Sequence, residues 1–160
     1  MPTVLLSTII HAPIERCFDL ARSIDLHSIS TAQTGERAIA GRTSGLIGLG
    51  ETVTWSAVHF GIRQELQSEI TAYEYPVFFV DEMLRGAFKS IYHEHHFKST
   101  GNDTLMTDKF NFESPMGILG QMANALFLTS YMRRLLTKRN VAIKYFAESE
   151  EWRKVLPDHL

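Results

Sequence analysis

The chain has 160 residues, 44% of them hydrophobic and 21% charged, which suits one domain of ordinary globular composition. Sixteen basic against eighteen acidic side chains leave a formal charge of −2, so there is no electrostatic footprint for nucleic acid. Cys17 is alone, which excludes an internal disulfide, and its place between Ile14 and Phe18 is that of a small buried hydrophobe.

Thr3 to Ile10 is rich in β-branched and aliphatic residues and predicts a first strand. The segment from Met1 to His11 has no basic start, so no secretory signal is expected and a cytoplasmic location is. Pro13 suits the first turn of a helix, and Ile14, Cys17, Phe18 and Ala21 follow at helical spacing. A second short helix is expected from Ile24 to about Ile29, then a short strand from Glu36 to Ala40 and a glycine-rich stretch.

Glu51 to Phe60 and Ile62 to Tyr73 predict a hairpin turning near Gly61. Val77 to Leu84 is a further strand, and Phe88 to Ser99 and Leu105 to Glu113 are two more, joined at Gly101-Asn102-Asp103. From about Gly117 to Glu148 the pattern is that of one helix of about 30 residues, rising ~45 Å. Its most apolar part is too short and too polar to span a bilayer, so no stable membrane insertion is expected. The expected class is α+β: a seven-stranded, curved antiparallel sheet, two short helices, and a long C-terminal helix across the concave side. Residues 1–150 form the single domain and 151–160 a loosely packed tail. A curved sheet closed by a rod leaves a cavity between them.

Alternation along the strands places Val53, Trp55, Ala57 and His59 inward, then Ile91, His93, His95 and Phe97, then Met106, Asp108, Phe110 and Phe112. Four ionisable groups, His59, His93, His95 and Asp108, thus fall on apolar faces, where burial is costly without partners. Three readings stay open. The groups satisfy one another and specify register; they anchor the polar end of a ligand in an apolar pocket; or a His–Asp pair performs general acid–base work. Neither a cofactor nor a metal site is expected. His-x-His puts two imidazoles on one side of a strand, but no third ligand has a fixed spacing.

Gly45-Leu-Ile-Gly48-Leu-Gly50 is not a dinucleotide fingerprint, because strand rather than helix follows it. A flexible loop at a cavity mouth is expected, with its leucines and isoleucine as a lid. On the long helix, Leu119, Met122, Leu126 and Met132 recur near helical spacing, beside Leu128, Tyr131 and Leu135. They are either plain core or an adaptable cavity wall. Arg133, Arg134, Lys138, Arg139 and Lys144 read as a solvated face. Of Asp81 and Glu82, one faces inward, and alternation does not decide which; a carboxylate here is expected to be solvated or paired with Arg85.

The order of elements resembles the helix-grip fold of the START and Bet v-like superfamily, over roughly Thr3 to Glu148. Local strings carry it: His11-Ala-Pro-Ile-Glu-Arg-Cys-Phe-Asp-Leu, Phe79-Val-Asp-Glu-Met with Gly86-Ala-Phe88, His93-Glu-His95-His-Phe97, and Thr104-Leu-Met-Thr-Asp108-Lys-Phe110 with Pro115-Met-Gly117. They are similar to the bacterial polyketide cyclase/dehydrase and lipid-transport branch. The resemblance implies an internal cavity for a lipid or polyketide-like molecule, and it makes Asp81 the carboxylate to watch, with the choice between Asp81 and Glu82 still open. The expected cavity residues are Trp55, His59, His93, His95, Phe97, Asp108, Phe110, Phe112, Met122 and Leu126. The expected partner is a hydrophobic small-molecule ligand, with the protein as carrier or sensor. A cyclase or dehydratase using a His/Asp pair is the alternative, and self-association into a homodimer stays open.

Overall fold

The computed structural model describes residues 2–114 and 118–158, and for 118–124 the backbone alone. The strands are β1 (Thr3–Ile10), β2 (Arg37–Gly41), β3 (Thr52–His59), β4 (Ile62–Glu74), β5 (Phe78–Arg85), β6 (Ser90–Thr100) and β7 (Asp103–Glu113). The helices are α1 (Ile14–Ala21), α2 (Ile24–Ser30) and α3 (Ile118–Glu148). The sheet order is β1-β7-β6-β5-β4-β3-β2, antiparallel at every pairing. Each strand from β2 to β7 pairs with the next, as short turns require. The two short helices carry the chain from β1 at one edge to β2 at the other.

Local chemistry explains the joints. The Ser23 hydroxyl accepts from the Leu26 amide and starts α2, satisfying one of the amides a helix leaves unpaired. Gly61 turns β3 into β4 at φ 74°, in the left-handed region that favours glycine. A bulge between Ile70 and Ala72 kinks β4 against β5 and curves the sheet.

Two apolar clusters hold the layers together. In the larger, Phe18 of α1 meets Tyr73, Tyr75, Phe79 and Phe97 edge-on, at centroid distances of 5.1–5.4 Å. The smaller joins Val4, Ile91, Phe110 and Phe112 to Leu136 of α3. The end of the chain corrects the expected loose tail. A short 3-10 turn at Glu150–Lys154 sets Trp152 and Leu156 into the larger cluster, at 6% and 5% exposure. Burying an indole of this size offsets the entropy of ordering a polar terminus.

Helix α3 also corrects the expected stripe. At ~100° per residue, Leu126 and Met132 stand ~120° apart around the axis and cannot share one narrow stripe. The inward stripe is Leu128, Met132, Leu135, Leu136 and Arg139, whereas Leu126 is 83% exposed. The side chain of Met122 lies outside the described residues.

Candidate functional site

Between sheet and α3 lies a cavity of about 220 Å³. Its walls come from both apolar clusters: Ile47, Val53, Trp55, Ile70 and Phe79 from one, Ile91, Phe110 and Leu136 from the other. Of the expected residues, Trp55, His59, His93, His95 and Phe110 border it. Phe97 and Phe112 face inward but do not reach it. Phe97 packs against Phe18, and Phe112 is sealed by Phe88 and Phe110. Inward alternation runs the length of a strand, while the cavity occupies only its middle.

At one pole, β6 and β7 pair His95 directly with Asp108, and β5 and β6 pair Asp81 with His93. His93 Nε2–H donates to Asp108 Oδ1 at 2.9 Å, and Asn140 Nδ2 donates to Oδ2 at 2.7 Å. Arg139 Nη1 stands 3.4 Å from Oδ1, and its Nη2 donates to the Ala21 carbonyl at 3.0 Å. His95 Nδ1 lies 3.0 Å from Oδ1 without the alignment of a hydrogen bond, so that ring nitrogen is buried and unpaired. Phe79 stacks on the His95 ring at 4.1 Å.

Asp108 is wholly buried and does not border the cavity, which corrects its expected place as a ligand contact. It is a positioning group behind the histidines. Burial alone would raise its pKa, but the His93 and His95 contacts and the Arg139 charge outweigh that and hold it well below the carboxylate range. Burial, with the nearby His93 and Arg139 charges, pushes His95 well below the ordinary histidine value despite Asp108. The Asp108–Arg139 pair is therefore the charged element here, and Arg139 is a buried ion-pair member rather than part of a solvated face. His93, His95 and Asp108 are close enough to share a metal ion, but the Arg139 guanidinium already supplies the cation that the carboxylate needs.

The other pole was not foreseen as a group. His27 Nε2–H donates to Glu36 Oε1 at 3.0 Å, and the His27 ring lies 4.2 Å from Trp55. His59 Nδ1 and Tyr131 Oη share a hydrogen bond of 2.6 Å. Burial works to raise Glu36, but the charge and hydrogen bond of His27, helped by His59, hold it below the usual range. Burial, assisted by Glu36, raises the Tyr131 phenol, so its hydroxyl keeps its proton. The signals for this pole were scattered: Trp55 and His59 on the inner face of β3, and Tyr131 on a stripe of α3 beside the inward one, with nothing to link them to His27 and Glu36.

Asp81 rather than Glu82 borders the cavity, on the same face as Phe79 and Met83. No pairing with Arg85 forms. The glycine-rich stretch is a strap more than a free lid: Ile24 and Gly50 donate amides to Gly45 and Ile70 carbonyls, and Ile47 donates to Arg22. Ile47 joins the wall, while Leu49 points outward at 61% exposure. No helix among the described residues is long and apolar enough to cross a membrane. Burial pushes the Cys17 thiol up to about 11, which matches a packing role.

No protein-family model and no curated protein matches the chain. Solved structures do. TTHA0849 from Thermus thermophilus is similar with a TM-score of 0.73 at 17% identity, over 90% of this chain and 95% of that one. A START superfamily protein from Mycobacterium smegmatis gives 0.69 at 11%, over 92% and 98%. Ginseng major latex-like protein 151 from Panax ginseng gives 0.65 at 19%, over 92% and 97%. At such identities the likeness is one of fold: the chain has the helix-grip architecture of START and Bet v-like proteins.

Proposed function

We propose that this helix-grip chain binds a compact amphipathic small molecule in its internal cavity, as a carrier or sensor. The observation that carries this is the unfilled space itself, about 220 Å³ with apolar walls and a polar group at each pole. Drug-sized ligands usually occupy ~300–1,000 Å³, so a single ring system fits better than a two-chain lipid. The apolar walls would provide transfer free energy and the poles orientation.

A neutral probe, N-phenyl-1-naphthylamine, tests the reading. Its emission should rise and shift to the blue with one-to-one saturation. Ala57→Phe, which fills the wall from β3, should weaken binding at least ~tenfold by overpacking the space. Absence of saturable binding to the native chain would defeat the proposal. Native mass spectrometry of protein purified from its own host would then weigh whatever ligand it retains.

One observation favours a second reading, an enzyme of the cyclase or dehydratase type. His93 borders the cavity with Nε2 held by Asp108, the arrangement that orients a general base. In that case His93→Gln abolishes turnover while probe binding survives; equal loss of both would leave only a binding role.

A further inference from the structure

The charges around the cavity do not cancel, and the imbalance has one sign. Each basic group that borders it is directed elsewhere. Arg22 is held by Asp19 at 2.7 Å and by the Ile47 carbonyl. Arg139 faces Asp108, Asn140 and the Ala21 carbonyl. His27 faces Glu36, His59 faces Tyr131, and His93 turns its Nε2 to Asp108. Burial keeps His95 neutral.

The acidic groups are not so matched. Asp81 lies on the wall between its strand neighbours Val80 and Glu82 and opposite Ile70 and His93. It makes no hydrogen bond or ion pair among the described residues. Glu65, more exposed, also borders the space and is equally unpaired among them. Aromatic surfaces add to the same sign. Trp55, Phe79, Phe88 and Phe110 line the cavity, and ring faces attract cations. A carboxylate ligand would meet an unpaired acid and no free cation. An ammonium would meet the reverse.

Building on the binding reading above, we propose that the cavity takes a compact ring-bearing amine, with the Asp81 carboxylate as its counter-charge, and rejects carboxylic acids of the same shape. The selectivity resides in one residue that is half-buried, where a unit charge still acts through low-dielectric walls. Because Asp81 contributes to no network, neutralising it should leave the fold unchanged.

Three probes of one shape test this at neutral pH by calorimetry: 1-naphthylmethylamine, 1-naphthylmethanol and 1-naphthoic acid. The amine should bind the native chain at least ~tenfold tighter than the acid, with the alcohol between them, and added salt should narrow the gap. Asp81→Asn should weaken the amine ~tenfold and leave the alcohol unchanged. If the alcohol binds but the acid equals or exceeds the amine, the charge selectivity is wrong and the cavity reading stands. The charge selectivity is equally wrong if Asp81→Asn leaves the amine-to-acid ratio intact. If none of the three binds, both proposals fall.

Discussion

The two poles of the cavity are built differently from similar residues. At the inner pole, Asp108 of β7 is fully buried and draws contacts from β6 and α3 together. At the other, His27–Glu36 and His59–Tyr131 are partly exposed pairs, each tied by one hydrogen bond. A buried charge without partners is prohibitive, so the inner group must be saturated and rigid. A half-wetted pair can open at small cost, because water replaces what is lost. The inner pole holds strands to helix; under the binding reading proposed above, the outer pole is the one that would exchange its partners for those of a ligand.

The sharpest way to break this contrast is Asp108→Asn. It leaves the Arg139 charge buried and uncompensated, which should cost about 3–5 kcal/mol in denaturant unfolding. A loss under 1 kcal/mol would mean that the inner pole is no keystone.

Acid sharpens it next. His95 has a folded pKa well below its ordinary value, so below about pH 6.5 the unfolded chain takes up a proton that the native chain refuses. Stability should therefore fall from pH 7 towards 5, with a limiting slope of about 1.4 kcal/mol per pH unit. Asp108, also depressed, adds a second loss only below about pH 4. In His95→Gln the first decline should flatten while the second persists. A flat native profile between pH 7 and 5 would show that the ring is not held neutral.

The same contrast explains what the chain's order of residues made legible. The strand period of two is rigid, so alternation alone put His93, His95 and Asp108 on the inner face. Helix α3 was harder, because an apolar run with basic residues fits more than one stripe. Arg139 looked like one more solvated cation, yet it falls seven residues after Met132, on the inward stripe. Asn140 carried no signal at all. The outer pole draws on α2, the approach to β2, the end of β3 and the middle of α3, and no local period links those four places. Trp152 was readable in principle, since a large aromatic in a polar tail rarely stays in water.

At the outer pole the effects shrink. Tyr131→Phe removes the bond to His59 but keeps the ring against Phe60, so a loss of about 1 kcal/mol is expected. Probe binding should change in affinity, not stoichiometry. A loss comparable to Asp108→Asn would erase the distinction between the poles.

Glu36→Gln should show the smallest change. The substitution keeps the shape and an acceptor oxygen for His27, and removes only a charge in a partly exposed pair, worth roughly 0.2–1 kcal/mol. The sign with pH follows from the lowered folded pKa: the contribution is present above about pH 4.5 and disappears as pH falls through the lower folded value. Native and Glu36→Gln chains should therefore differ slightly at pH 6 and converge in acid. Removing Glu36 also takes one negative charge from the cavity wall, so a cationic probe should lose affinity there by less than at Asp81, because His27 already offsets part of that charge. If Glu36→Gln instead equals Asp81→Asn against the amine, the outer pole shares the counter-charge, and the cavity's selectivity belongs to its whole wall rather than to one strand.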